Sequence, residues 1–200
     1  DMRRDAVARL LAQAKAALDA GRQNEAAELY QRALEGAGDP EQVDPIVKAL
    51  EQVGAQVDLV AHYGLLTDWF VIGPFDNHDM LGFPVAYPPG QEVNLERLTS
   101  TERDGTFDLA KLTAPHKGAI DYVTTEFQSD VAQPVEFRIA TANAWKLWLN
   151  GELLFAREEY HRGMRFDQYR MSGQLQAGTN RILIKVCQNE QDQDWAQKWS

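Results

Sequence analysis

The stretch Arg157-Glu-Glu-Tyr-His-Arg162, continuing to Arg165, gathers side chains that recognise hydroxyl-rich ligands. A pyranose needs a ring surface for its apolar face and planar hydrogen-bonding groups for its hydroxyls. Tyr160 and His161 offer the rings, Arg157, Arg162 and Arg165 offer the donors, and Trp148, just upstream, is either an exposed platform or covered by another element. An arm this charged suits a contact with a neighbouring protein domain equally well. A second group, Asp76-Asn-His-Asp79, places oxygen ligands of the kind a hard cation takes on Asp76, Asn77 and Asp79. Its spacing is not that of an EF-hand loop, and Asp and Asn also build turns by bonding their own backbone. Asn189 to Asp194 reads as a solvated loop before a last strand, Trp195 to Trp199.

Chemistry that would make an enzyme is missing from the pattern. No nucleophile elbow, phosphate-cradling glycine loop, His-Glu-x-x-His helix or paired-cysteine metal site occurs. The histidines, His62, His78, His116 and His161, are scattered, and Ser100, Ser129, Ser172 and Ser200 sit in no recognisable setting. Glu158-Glu159 are adjacent, so on a strand they face opposite ways rather than converging on one glycosidic bond. The expectation is a non-catalytic protein.

A formal net charge of −10 argues against binding nucleic-acid backbone or anionic membrane surfaces, which requires a basic stripe. No apolar run approaches the ~20 residues of a membrane-spanning helix. The chain opens on Asp1 without a basic, apolar leader, so localisation is not readable from it. Cys187 has no partner for an internal disulfide and alternates with Leu183 and Lys185, which reads as a small half-buried apolar side chain.

The elements that must position these groups change period once. From Arg4 to about Val57 apolar residues recur at helical spacing: Val7, Leu10, Leu11, Ala14, Ala17 and Leu18, then Ala26, Leu29, Tyr30, Ala33 and Leu34, then Val43, Ile46, Val47 and Leu50. Gly21 breaks the first run, Asn24 is placed to cap the second helix, and Asp39-Pro40 starts the third. Beyond Ala61 the period is two: Val135, Phe137, Ile139; Trp145, Leu147, Leu149; Ile182, Ile184, Val186. The predicted class is mostly β with N-terminal α, an antiparallel β-sandwich over 61–200 after a helical segment over 1–60. Residues 73–106 read as a long loop-rich segment, with a short strand at Phe107 to Leu112.

Two turn signals raise a family resemblance. Asn150-Gly151 tolerates the positive φ that a two-residue hairpin demands, and Leu175-Gln-Ala-Gly-Thr-Asn180 leads into Arg181-Ile-Leu-Ile-Lys-Val186. Their order and spacing resemble the galactose-binding-like jelly roll of carbohydrate-binding modules and of the sugar-binding domain in family 2 glycoside hydrolases, over roughly residues 64–200. Trp69-Phe-Val-Ile-Gly-Pro-Phe75 is similar to the opening of accessory β-modules in large bacterial multidomain proteins. The resemblance implies a non-catalytic carbohydrate- or glycan-binding accessory module, a structural Ca²⁺ and a periplasmic or secreted setting. Gly21, Ala26, Tyr30, Ala33 and Leu34 resemble one tetratricopeptide repeat, with Leu10 and Ala14 as departures. The competing expectation is a protein-interaction or scaffold module that docks neighbouring domains without binding sugar.

Overall fold

The computed structural model describes residues 2–87, 95–100, 102–109 and 118–190, which divide into two compact units after Leu65. The first unit is helical: α1 Met2–Asp19, α2 Gln23–Gly36, α3 Pro40–Gln52 and α4 Leu59–Tyr63. Gly36 at the end of α2 comes so near α1 that a Cβ there would meet Val7 Cγ2 at 2.9 Å, and Arg3 Nε donates to Gly36 O at 2.8 Å. The α1–α2 pair is therefore antiparallel, and buried Ala14, Ala17, Ala26 and Ala33 let the two backbones approach. Tyr30, Leu34, Val43, Ile46 and Leu50 complete this unit's core. Asp39 and Pro40 open α3 as expected, but α2 begins one residue before Asn24, with Arg22 at the cap position. Asn24 thus lies in the first turn, where Arg22 instead pairs with Glu25 at 2.8 Å.

The second unit is antiparallel β. Its strands are β1 Asp68–Asp76, β2 Glu96–Thr99, β3 Ala119–Ser129, β4 Gln133–Ile139, β5 Ala144–Leu149, β6 Glu152–Arg157, β7 Tyr169–Leu175 and β8 Gly178–Cys187. Six form a sheet in the order β2-β1-β3-β8-β5-β6, and β4 pairs with β7 as a second layer. Trp69, Val71, Val123, Trp145, Leu147, Ile182, Ile184 and Val186 from the large sheet pack with Tyr169, Met171, Leu175, Val135 and Phe137 from the small one. Alternation produces this: every second side chain faces the partner layer, and its apolar surface leaves water. At the centre, Trp145 stacks on Phe155 at 4.7 Å and meets Tyr169 at 5.1 Å.

Strands β2 and β3 were not singled out in the sequence reading. β2 lies inside the stretch expected to be loop and pairs with β1 from Asp68↔Thr99 to Val71↔Glu96; at four residues its period-two pattern is too short to register. Conversely, Phe107 and Asp108 are not in a strand, although Leu109 is buried in the core; Leu112, like Trp195 to Trp199, lies outside the described residues. No helix among the described residues is long and apolar enough to cross a membrane.

The two turn motifs meet in space. Asn150 and Gly151 both have positive φ, 51° and 86°, which makes the β5–β6 connection a primed hairpin turn. The Asn150 amide donates to Asn180 Oδ1 at 2.9 Å and accepts from the Arg181 N–H at 2.8 Å. Asn180, fully buried, also accepts from Gln176 N at 2.9 Å and donates to Gln176 O and Gly178 O at 2.8 and 3.1 Å. One amide thereby closes the β7–β8 turn and stitches it to the β5–β6 turn. Replacing Asn180 with Ala strands these buried partners, and a loss of about 3 kcal/mol is expected in urea unfolding. Asn150→Ala, at an exposed position, is expected to cost about 1 kcal/mol by the same measurement.

Candidate functional site

The outer face of the six-stranded sheet, turned away from β4 and β7, is divided into a covered part and an open part. Residues 76–87 cover the first. Phe83 is buried with Ile120, Ala144 and Cys187, and Phe75, Tyr87, Tyr122 and Tyr160 pack around them as a second small core. Phe75 stacks on Tyr87 at 4.6 Å. Asn77 ties this cover down: its amide donates to Gln188 O at 2.7 Å and Tyr160 Oη at 3.3 Å, and accepts from the Gly82 N–H at 3.0 Å. Gly82 has no room for a side chain, since a Cβ would stand 2.4 Å from Ile120 Cδ1 and 2.7 Å from Asp76 O.

Lys185 holds the centre of the cover. Its side chain is 1% exposed, and Nζ donates to the carbonyls of Gly82, Phe83 and Val85 at 2.6, 3.0 and 2.7 Å. The rings of Tyr87 and Tyr122 lie 5.3 and 5.6 Å from the same nitrogen. Burial lowers the Lys185 pKa, and the charge of Lys146, itself 4.3 Å over the Phe83 ring, adds to that. Three carbonyl oxygens in direct contact supply the compensation that a desolvated ammonium requires. Cys187, on the same face as expected but fully buried, has its thiol pushed up to about 12 by burial, so it stays protonated and unreactive at neutral pH. Lys185→Met is expected to cost about 3 kcal/mol in chemical unfolding, because the three carbonyls lose their donor. The same variant should expose Cys187 to a thiol reagent that leaves the wild-type chain unlabelled under native conditions.

Where the cover ends, the face opens along a single lateral row. Register places Arg97 beside Phe70, Phe70 beside Thr124, Thr124 beside Leu183, Leu183 beside Trp148 and Trp148 beside Leu153. Phe70 is 46% and Leu153 50% exposed, while Trp148 and Leu183 are half-buried. Phe70 and Trp148 are three strand spacings apart, ~14 Å. The next row carries Asp68, bonded to Arg97 and Thr99 at 2.9 Å, and Arg181, bonded to Glu126 at 2.6 Å. The charges on that side of the row are thus paired with each other.

The arm after β6 does not join this row. Arg157 sits opposite Trp145 in the register, on the sandwich side of β6, with its guanidinium 5.8 Å from the Tyr169 ring, so Arg157 and Trp148 face opposite ways. Glu159 takes Arg157 at 2.5 Å and Arg162 at 2.9 Å, and these two cations hold its carboxyl below the usual range. Tyr160 belongs to the second core and His161 bonds Asn189. Arg165 is exposed. The structure therefore turns Tyr160 and His161 inward as supports and pairs two of the three arginines internally. What the sequence reading missed was Phe70 and the row itself, because cross-strand neighbours are far apart in the chain; the alternation of Phe70 against buried Trp69 and Val71 was the available signal.

Asp76, Asn77 and Asp79 do not converge as a ligand set either. Asn77 spends both amide atoms on the protein, and Asp76 accepts from the His78 N–H at 3.0 Å. Asp79 instead comes together with His78 and Glu190, one donor atom of each within 4.8 Å of the others, all three exposed. That set has metal-ligand spacing, with an imidazole nitrogen that a transition ion accepts more readily than Ca²⁺ does. Its bonding is already satisfied internally, since His78 bonds Glu190 and lies 3.7 Å from Asp79. Glu190, with Asp79 and Asp76, raises the His78 pKa, so the pair is complete at low pH and is lost as pH rises through the raised value. An NMR titration should place the His78 midpoint above the ordinary 6.5, and Glu190→Gln should return it toward that value.

A two-layer antiparallel β-sandwich after a helical unit is the class these elements define. No family model and no curated protein matches the chain. Among solved structures it is similar to an uncultured Clostridium sp. β-glucuronidase, at 15% identity and TM-score 0.36 over 61% of this chain and 21% of that one. A Faecalibacterium prausnitzii β-glucuronidase matches at 14% identity and TM-score 0.36, over 64% and 23% respectively. The chain spans under a quarter of the length of either enzyme.

Proposed function

We propose that the β-unit is a non-catalytic carbohydrate-binding module of the galactose-binding-like jelly-roll type, accessory to a larger protein, with the helices as a tetratricopeptide-like appendage. The observation that carries this reading is the open row Phe70–Thr124–Leu183–Trp148–Leu153 on the outer sheet face. Sugar rings present apolar C–H faces that lie on aromatic and aliphatic surface, while their hydroxyls reach polar groups at the margin. Thr124, Arg97 and the Arg181–Glu126 pair are that margin, and because its charges are mutually neutralised, it favours an uncharged polyhydroxylated ligand over a highly charged one.

The same row supports a second reading, a protein-docking face, because Phe70 and Leu153 leave apolar surface of the kind that anchors interfaces. Binding to a panel of soluble and insoluble polysaccharides separates the two. Saturable binding is expected, with Trp148→Ala and Phe70→Ala each weakening it about tenfold while the circular dichroism spectrum stays that of the wild-type fold. Arg162→Ala should leave it unchanged, since that guanidinium serves Glu159. Absence of saturable binding across the panel rejects the carbohydrate reading and leaves the docking face.

A further inference from the structure

Asn150 is the one asparagine of the chain that is followed by glycine. In such a pair the glycine nitrogen is a nucleophile for the neighbouring side-chain amide, because no Cβ shields it. Both residues are exposed, and beyond its chain neighbours no atom lies within 4 Å of where a Cβ on Gly151 would stand. A two-residue turn closes through the residues that flank it, Leu149 and Glu152, so the Gly151 N–H lies outside the ladder and open to water. The Asn150 side chain, by contrast, is tied at both ends. Its Nδ2 donates to Asn180 Oδ1 at 2.9 Å, its Oδ1 accepts from the Arg181 N–H at 2.8 Å, and its backbone N–H donates to Arg181 O at 2.9 Å. Turning the amide carbon onto the Gly151 nitrogen requires the two side-chain bonds to break.

Asn180 cannot adapt to a change in its partner. Its Oδ1 also receives the Gln176 N–H at 2.9 Å, and its Nδ2 donates to Gln176 O and Gly178 O at 2.8 and 3.1 Å. Turning the amide over would set oxygen against two carbonyls and nitrogen against an N–H. What Asn180 presents to Asn150 is therefore always an acceptor, and it is fully buried. An amide at position 150 satisfies it. A carboxylate has no N–H to offer, so it sets a negative charge against a fixed oxygen and leaves that oxygen short of a donor.

We propose that Asn150 is a guarded deamidation site whose conversion releases the β5–β6 turn from the β7–β8 turn in one irreversible step. When the turn opens locally, the Gly151 nitrogen gives its proton to solvent and bonds to Asn150 Cγ. The Cγ–Nδ2 bond then breaks, and the nitrogen leaves as ammonia after taking up a proton. Water opens the resulting five-membered imide at either carbonyl, giving aspartate or isoaspartate; one water is consumed, one ammonia is released, and nothing is oxidised or reduced. Aspartate meets the fixed acceptor of Asn180, and isoaspartate lengthens the backbone inside a turn that tolerates only two residues. Neither product can restore the bond that guarded the amide, so the opening persists. The device is independent of any ligand on the outer sheet row.

The full chain is aged in mildly alkaline buffer at physiological temperature, and peptide mapping by mass spectrometry follows the fraction of aspartate and isoaspartate at position 150. Asn180→Ala is expected to speed the conversion about tenfold, because one guarding bond is gone. Lys185→Met, which costs the fold comparably but acts under the cover of the outer sheet face, should leave the rate near that of the wild type. Equal rates in wild type and Asn180→Ala, or equal acceleration by Asn180→Ala and Lys185→Met, overturn the guard. Should Asn180→Ala fail to fold, the wild-type chain held unfolded in urea takes its place, and conversion there no faster than in the native chain is the overturning result. For the consequence, Asn150→Asp should unfold at a lower urea concentration than Asn150→Ala, since a misplaced acceptor is worse than a missing donor. Asn150→Asp as stable as Asn150→Ala overturns the release of the two turns.

Discussion

An ammonium taken out of water must find acceptors or lose its proton, and the outer layer of this β-unit is arranged around that requirement. Lys185 lies on a central strand, between β3 and β5, where Ile182, Ile184 and Val186 already fill the sandwich on the other face. Its nitrogen cannot be left to a bare sheet surface surrounded by Tyr122, Cys187 and Ala144. Residues 82–85 deliver three carbonyls to it, and in doing so they fold the segment after β1 back over the sheet. The aromatic contacts of Phe75, Phe83 and Tyr87, the inward amide of Asn77 and the inert thiol of Cys187 all follow from that one placement.

Covering one end of the outer face leaves the other end defined. The cover stops at the row of Lys146 and Lys185, and the next row across the sheet, from Phe70 to Leu153, is the first with apolar side chains open to solvent. A sheet with both faces buried throughout would offer no such surface, and one with neither end covered would expose an apolar area prone to association. The opposite end of the sandwich is fixed by different means, the paired amides of Asn150 and Asn180, which hold two turns in a fixed relation.

Much of this fold was legible. Alternation in Val135–Ile139, Trp145–Leu149 and Ile182–Val186 marked β4, β5 and β8, and the Asn-Gly turn marked the hairpin, because strand period and positive φ are local demands that residue types answer directly. Helices α1 to α3 were legible for the same reason. β2 was not, because four residues carry too little pattern, and its partner is reached only through pairing with β1. The charged arm misled because composition reports which groups are present and not which of them already satisfy each other, as Arg157, Glu159 and Arg162 do.

By itself, then, the sequence determined the helical and strand regions in order, the inward side of β4, β5 and β8 and the two turns, since each depends on a residue and its near neighbours. Only the tertiary structure decided that Asn77 serves the protein interior, that Trp148 and Arg157 face opposite ways, and that Phe70 stands in line with Trp148. Those relations depend on strand order and register, which join residues up to about a hundred positions apart, as Lys185 and Gly82 are. Hydrogen bonding between strands sets which rows coincide, and no local preference of Phe70 or Trp148 encodes the other's position.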